Sequence, residues 1–155
     1  DPKAVIEMFF HIRKNLSKAY LIFIGDGELW EETVRFSQSK GLQNDILFLK
    51  TVPFSEMCAW YSCASYFISG CEVEGFGLAA LEAASCGCIP VLPSGGSFPE
   101  IFVHDEYLYD KKNIENYVLP AYSDENLAYL SSVVKKFSWD SALNEYREEY
   151  LRLAR

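Results

Sequence analysis

Positive charge is scarce in this chain: 14 Lys and Arg stand against 22 Asp and Glu, a formal net charge of -8. A protein that tracks a nucleic-acid backbone needs clustered cations, so a large nucleic-acid footprint is excluded. A single small anion is still accessible, because a few oriented amides suffice for it. No apolar run approaches the ~20 residues that cross a bilayer. The cysteines (Cys58, Cys63, Cys71, Cys86 and Cys88) are odd in number and have no paired C-x-x-C spacing. They read as small buried hydrophobes of a reducing cytosol, not as a disulfide framework or a zinc site. Internal repeats and low-complexity tracts are absent. The opening Asp1-Pro2-Lys3 has neither a secretory pattern nor an initiator Met and runs straight into a helix. It reads as a cut inside a longer polypeptide.

What is present is a core. Half of the 155 residues are hydrophobic and 15% are aromatic, enough for one globular domain spanning 1–155. Helix and strand signals alternate almost throughout. Ala4 to Leu16 carries a helical stripe at Val5, Met8, Phe9 and Ile12. Tyr20 to Ile24 is a β-rich run closed by Gly25-Asp26-Gly27. Glu28 to Ser39 is amphipathic with acids in its first turns, and Gly41 closes it.

Asp45 to Leu49 is a second strand, and Pro53 to Ala64 a helix with Ser55 as a candidate cap. Tyr66 to Ser69 is a third strand and Gly77 to Ser85 its helix. Ile89 to Leu92 is a fourth strand, whose Pro90 suggests a strand start or a sheet edge. A Ser94–Ser97 loop, a short Pro99–Val103 helix and a Glu106–Tyr109 strand follow. Asp124 to Phe137 and Trp139 to Leu153 are closing helices. Strands separated by helices imply an α/β fold, a Rossmann-like parallel sheet flanked by helices.

The most informative segment is Glu74-Gly75-Phe76-Gly77-Leu78-Ala79-Ala80-Leu81-Glu82. It lies where a strand ends and a helix begins, the edge at which open α/β sheets bind ligands. A helix start offers unpaired N–H groups to an anion, and glycine lets backbone approach without a Cβ. A helix starting near Phe76 puts Glu82 ~9 Å further along the axis at 1.5 Å per residue. That span suits a nucleoside diphosphate sugar, with Glu74 on the sugar hydroxyls, Glu82 on a ribose diol and the Gly77, Leu78 and Ala79 amides on the phosphates. The plainer reading makes both glutamates solvated surface acids, and Glu72 competes with Glu74 on spacing alone. Gly75 to Ala80 also satisfies G-x-G-x-x-A, the dinucleotide fingerprint. Two strands precede it, however, and the acid needed about 20 residues on is replaced by Leu92-Pro93-Ser94-Gly95-Gly96.

These residues resemble the E-x7-E signature of family 4 (group 1) retaining glycosyltransferases of the GT-B fold. The likeness covers nearly the whole chain. Leu21 to Gly27 resembles the family's strand and GDG turn, and Cys86-Gly87-Cys88-Ile89-Pro90-Val91 its C-G-x-P-V segment. Ser94-Gly95-Gly96 with Pro99-Glu100-Ile101 resembles the GG-x-x-E-I loop, and Phe137-Ser138-Trp139 the closing F-S-W.

The resemblance implies the C-terminal, donor-binding domain of a two-domain transferase, moving a hexose from a nucleoside diphosphate sugar to a glycan or lipid-linked acceptor. It implies Glu74 as the catalytic-site acid, a positioner of the sugar and not a nucleophile. Gly75, Phe76 and Gly77 would hold the sugar, Leu78 and Ala79 the distal phosphate, and Glu82 the ribose. Gly25, Asp26, Gly27, Thr51 and Val52 would line the nucleotide. It implies metal-independent chemistry without a cofactor, and the chain has no D-x-D pair. It also implies a cytoplasmic location, at the inner face of the membrane if the whole enzyme associates peripherally.

The family's diphosphate-clamping Arg and Lys would fall upstream of Asp1, since Lys3 lies about a turn too late. The N-terminal acceptor domain would be missing, so the chain alone is expected not to turn over. Two other classes stay open: a non-catalytic nucleotide-sugar or interaction module, and an NAD-dependent Rossmann enzyme. His11 and His104 read as packing histidines, and Trp30, Trp60, Trp139, Tyr146 and Tyr150 as packing aromatics. The last helix is expected to pack across the absent N-terminal half.

Overall fold

The computed structural model describes residues 1–16 and 18–154. Helix α1 (Pro2–Asn15) starts where its sequence says it should: Asp1 caps it, accepting from the Ala4 N–H at 3.2 Å, and Pro2 supplies a pre-set φ. Strand β1 (Leu21–Ile24), helix α2 (Trp30–Ser39) and strand β2 (Ile46–Leu49) follow, and β1 pairs in parallel with β2. A 3-10 turn over Phe54–Glu56 leads into α3 (Met57–Ser62). The predicted single helix is thus split, and Ser55 caps neither piece.

Strand β3 (Tyr66–Ile68), helix α4 (Leu78–Ser85), strand β4 (Ile89–Pro93), helix α5 (Phe98–Ile101) and strand β5 (Leu108–Tyr109) build a second parallel sheet in the order β3-β4-β5. The last strand is shorter than predicted because Asp105–Tyr107 coils into a 3-10 turn. Helices α6 (Asp124–Lys136) and α7 (Trp139–Leu153) close the chain, each capped by the preceding serine. The expected α/β architecture is present: every pairing is parallel, with α1 and α2 packed together on one layer and α3, α4 and α6 on another.

Pro90 corrects one expectation. Its strand is not at an edge: β4 lies between β3 and β5, with all five residues buried. Ile89 donates to the Ser65 carbonyl and Val91 accepts from Ser69, so odd positions face β3. Position 90 therefore faces β5 at a level where that neighbour is still a 3-10 turn, and no ladder bond is lost. Pro93, at the other end, removes the amide that would next donate to the Ser69 carbonyl. The hydroxyl of Tyr109 takes its place, donating to that oxygen at 2.8 Å.

The core follows the same split. Ala80, Leu81, Ala84, Ile89, Leu92, Phe98, Phe102, Tyr107, Leu130 and Val133 form the main cluster around β4. Ile6, Phe9 and Leu42 form a smaller one against β1 and β2. Two expectations about side chains fail. Only Cys88 of the five cysteines is buried; Cys58 and Cys63 are exposed, all five are free thiols, and Cys58 and Cys86 bring their sulfurs to 3.2 Å. Trp139, Tyr146 and Tyr150 stand in solvent on α7, because nothing in the described chain covers that face. Among the described residues no helix is long and apolar enough to cross a membrane.

Candidate functional site

Pairing is parallel within each sheet. The start of α1 ties the two together: Asp1 meets Gly70 after β3, and Lys3 pairs with Glu32 of α2, the helix that follows β1, so the loops after β1, β2, β3 and β4 open on the same rim of the fold. Every predicted site residue lies there or on the helix that starts there. After β1, Asp26 turns back to accept from the Gly27 N–H at 2.9 Å, and Lys50 at the end of β2 approaches it to 3.7 Å. Lys50 also lies over the Trp30 ring at 5.3 Å. Gly25-Asp26-Gly27 and Thr51-Val52 are thereby gathered into one group.

The second group is built after β3. Glu74 is half-buried, and its Oε1 accepts from the amides of Gly75 at 3.0 Å and Phe76 at 3.4 Å. Its backbone carbonyl accepts from Ser97, which ties the loop after β4 to it. Gly95 and Gly96 make that contact possible. A Cβ on Gly96 would lie 2.7 Å from the Glu74 nitrogen, and its φ of +63° suits only glycine well. Gly77 is required twice over: φ is +83°, and a Cβ would come within 2.7 Å of the Phe98 ring.

Helix α4 then begins at Leu78 with no side-chain cap, leaving its first amides to whatever reaches them. Ala80, Leu81, Ala83 and Ala84 are its buried face; Leu78, Ala79 and Glu82 share the exposed one. Glu82 has a neighbour that the sequence did not suggest. The Tyr61 phenol on α3 lies near enough to feel its charge: burial, reinforced by Glu82, pushes that phenol up to about 12. Reading single elements could not pair a residue of α3 with one of α4. Phe76 packs edge-on against Phe137 at 5.7 Å, bringing the Phe137-Ser138-Trp139 segment to the site.

The two groups belong to the two separate sheets, β1-β2 and β3-β4-β5. Lys3 takes no part in either, since its ammonium pairs with Glu32 of α2 at 2.5 Å. The missed cation is Lys111, just beyond β5. It bridges Asp1 at 2.9 Å and Glu72 at 3.0 Å, which commits Glu72 and leaves Glu74 as the acid nearer the glycines. Both histidines pack: His11 Nε2 lies 2.9 Å from the Tyr117 carbonyl oxygen, and His104 stacks on Tyr129 at 4.0 Å. Among the described residues no group of three or more His, Cys, Asp or Glu side chains is arranged to hold a metal.

A family model described as glycosyl transferases group 1 matches residues 1–123. The chain is 26% identical to an alpha-monoglucosyldiacylglycerol synthase of Streptococcus pneumoniae, over 96% of this chain and 35% of that protein. It is 28% identical to a GDP-mannose-dependent alpha-(1-6)-phosphatidylinositol monomannoside mannosyltransferase of Mycolicibacterium smegmatis, over 57% of this chain and 25% of that protein. It thus spans about a third or less of the length of these curated relatives. Two solved structures share the fold. The pneumococcal O-GlcNAc transferase GtfA in complex with UDP and GlcNAc has a TM-score of 0.74 at 18% identity, covering 99% of this chain and 32% of that one. The catalytic domain of cholesterol-alpha-glucosyltransferase from Helicobacter pylori has a TM-score of 0.65 at 17% identity, covering 99% and 90%.

Proposed function

The chain belongs to the group 1 glycosyl transferases, and from that membership we propose that it is the donor-binding half of a retaining, metal-independent hexosyltransferase. The observation that carries the reading is the rim itself. Four strand ends deliver their loops to one side, and the uncapped start of α4 stands between Glu74 and Glu82. The donor is a nucleoside diphosphate sugar. Its hexose meets Glu74 and the Gly75-Phe76-Gly77 backbone, its diphosphate the amides of Gly77, Leu78 and Ala79, and its ribose Glu82. The base lies towards Gly25-Asp26-Gly27 and Thr51-Val52.

In the proposed reaction an acceptor hydroxyl adds to the anomeric carbon on the face the diphosphate leaves. The bond from that carbon to the phosphate oxygen breaks, and the hydroxyl proton passes to a phosphate oxygen. Amides fixed at the helix start stabilise the charge growing on the leaving group without having to reorient. Glu74 orients the sugar. The names of both curated relatives above contain a glycosylated lipid, which supports a lipid-linked or glycan acceptor. That acceptor, and the peripheral membrane contact it entails for a cytoplasmic enzyme, belong to a second half against which the bare face of α7 packs.

Calorimetric titration with UDP-glucose and GDP-mannose tests the site. We expect saturable, weak binding of one of them and no turnover by this chain. Glu82→Ala should weaken binding about tenfold or more, because hydrogen bonds to a charged group contribute ~1.5–3 kcal/mol. Equal binding by the variant removes Glu82 from the site. Failure of both sugars, even with the residues encoded upstream of Asp1 restored, rejects the reading.

A further inference from the structure

The five free thiols are not spread evenly along the chain. Cys58 lies on α3 and Cys63 just after it, while Cys86 and Cys88 flank the turn that ends α4. Helices α3 and α4 pack directly, so these four share one seam. Their surroundings differ. Cys88 is buried and donates to the Tyr61 carbonyl at 3.1 Å. Cys63 is exposed but donates to the Trp60 carbonyl at 3.0 Å. Cys58 and Cys86 turn to each other instead, their sulfurs 3.2 Å apart although 28 positions separate them in sequence.

We propose that Cys58 and Cys86 form a thiol–disulfide exchange site, which a small-molecule disulfide oxidises to a reversible cross-link between α3 and the end of α4. Bonded sulfurs lie ~2.05 Å apart, so closure asks for a movement of about 1.2 Å. Cys58 is exposed, and its side chain has the room to make most of it. In a reducing compartment such a bond is transient, the mark of a redox-sensing pair and not of a structural framework. The bridged loop holds β3, Glu74 to Gly77 and Glu82. Cys86 lies one turn after Glu82 and donates its amide to that residue's carbonyl at 3.2 Å. Oxidation therefore fastens the helix end that carries Glu82 to α3, whatever the rim binds.

The exchange runs in two steps, and access sets their order. Cys58, in solvent, gives its proton to the medium, and its thiolate attacks one sulfur of the disulfide RS–SR. That S–S bond breaks, RS⁻ leaves and takes up a proton, and Cys58 carries the mixed disulfide. Burial, reinforced by the hydrogen bond with Cys58, pushes the Cys86 thiol up, which makes it the poorer first nucleophile. It is well placed for the second step. Its thiolate attacks the Cys58 sulfur beside it, the mixed disulfide breaks, and the second RS⁻ leaves with the proton that Cys86 gave up. Two protein thiols are then oxidised to one disulfide, and RS–SR is reduced to two RSH. Excess thiol runs both steps backwards.

The test is independent of sugar binding. Reduced protein is incubated in glutathione buffers of rising disulfide content, quenched by alkylation and mapped by peptide mass. Cys58 and Cys86 should disappear together into one cross-linked peptide pair, two hydrogens lighter, with no glutathione attached; dithiothreitol should restore both. Cys86→Ser should retain glutathione on Cys58. Cys58→Ser should slow the oxidation of Cys86 on the order of 10-fold or more, because the half-buried thiol must then attack first. Cys63→Ser is the control and should oxidise as the wild type does, with circular dichroism checking that each serine variant folds. A wild-type pair that stays reduced in fully oxidised glutathione overturns the proposal, as does a cross-link through Cys63, Cys71 or Cys88. So do glutathione held on wild-type Cys58 at equilibrium, a Cys58–Cys86 bond that forms only in urea, and undiminished oxidation of Cys86 in Cys58→Ser.

Discussion

The two halves of the sheet are made from similar sequence and end up unlike. In β3-β4-β5 the middle strand is wholly buried, helices pack on it, and glycines hold the loops above it by close backbone contact. In β1-β2 no strand residue is fully buried, Leu47 is 50% exposed, and all of β1 lines a cavity of about 1100 Å³. Leu-Ile-Phe-Ile is if anything more apolar than Ile-Pro-Val-Leu-Pro, so hydrophobicity does not explain which strand is buried. What separates them is having a partner on both sides.

Four measurements would break or sharpen that contrast. Leu92→Ala should lower stability by about 2–5 kcal/mol, as large-to-small changes at fully packed sites do; denaturant unfolding reads it. Gly96→Ala should lower stability by about 1–3 kcal/mol, because the new Cβ meets Glu74 backbone and φ is +63°. Its NMR shifts should centre on 72–77 and 94–97; shifts spread evenly over both halves would argue against a local clamp.

The third is alkaline titration. Burial pushes the phenols of Tyr61, Tyr107, Tyr109 and Tyr117 above their ordinary value of 10, Tyr61 to about 12. A raised native pKa means the unfolded state loses its proton first. This stabilisation is therefore complete below pH 10 and drains as pH climbs towards and past 12. Burial raises the Cys88 thiol in the same sense, from 9 to about 11, so the urea midpoint should begin to fall near pH 9 and fall more steeply above 10; a midpoint that stays level to pH 11.5 contradicts it. The smallest effect belongs to Leu47→Ala, at ~0.5 kcal/mol or less. A loss matching that of Leu92→Ala would erase the contrast between the halves.

Local signals carried most of the fold. The 3.6 periodicity located helices and short continuous apolar runs located strands, and Ser138 capping α7 agrees with the Trp139 start. The rim position of Glu74, Gly75-Phe76-Gly77 and Glu82 was also legible, because a parallel strand followed by a helix has only one place to put its loop. Non-local facts were not. The place of Pro90 depends on how long its neighbour β5 is. The approach of Tyr61 to Glu82 depends on two helices, α3 and α4, meeting, and the exposure of Trp139, Tyr146 and Tyr150 on what packs beside α7.

The Tyr109 hydroxyl, standing in for the amide that Pro93 lacks, makes positions 93 and 109 a single unit of change. Phenylalanine at 109 strands a carbonyl at the mouth of the rim as long as residue 93 is proline. Give 93 an N–H and the same phenylalanine becomes tolerable, while the original tyrosine becomes a rival suitor for one oxygen. Neither substitution has a fixed sign; each takes its sign from the other.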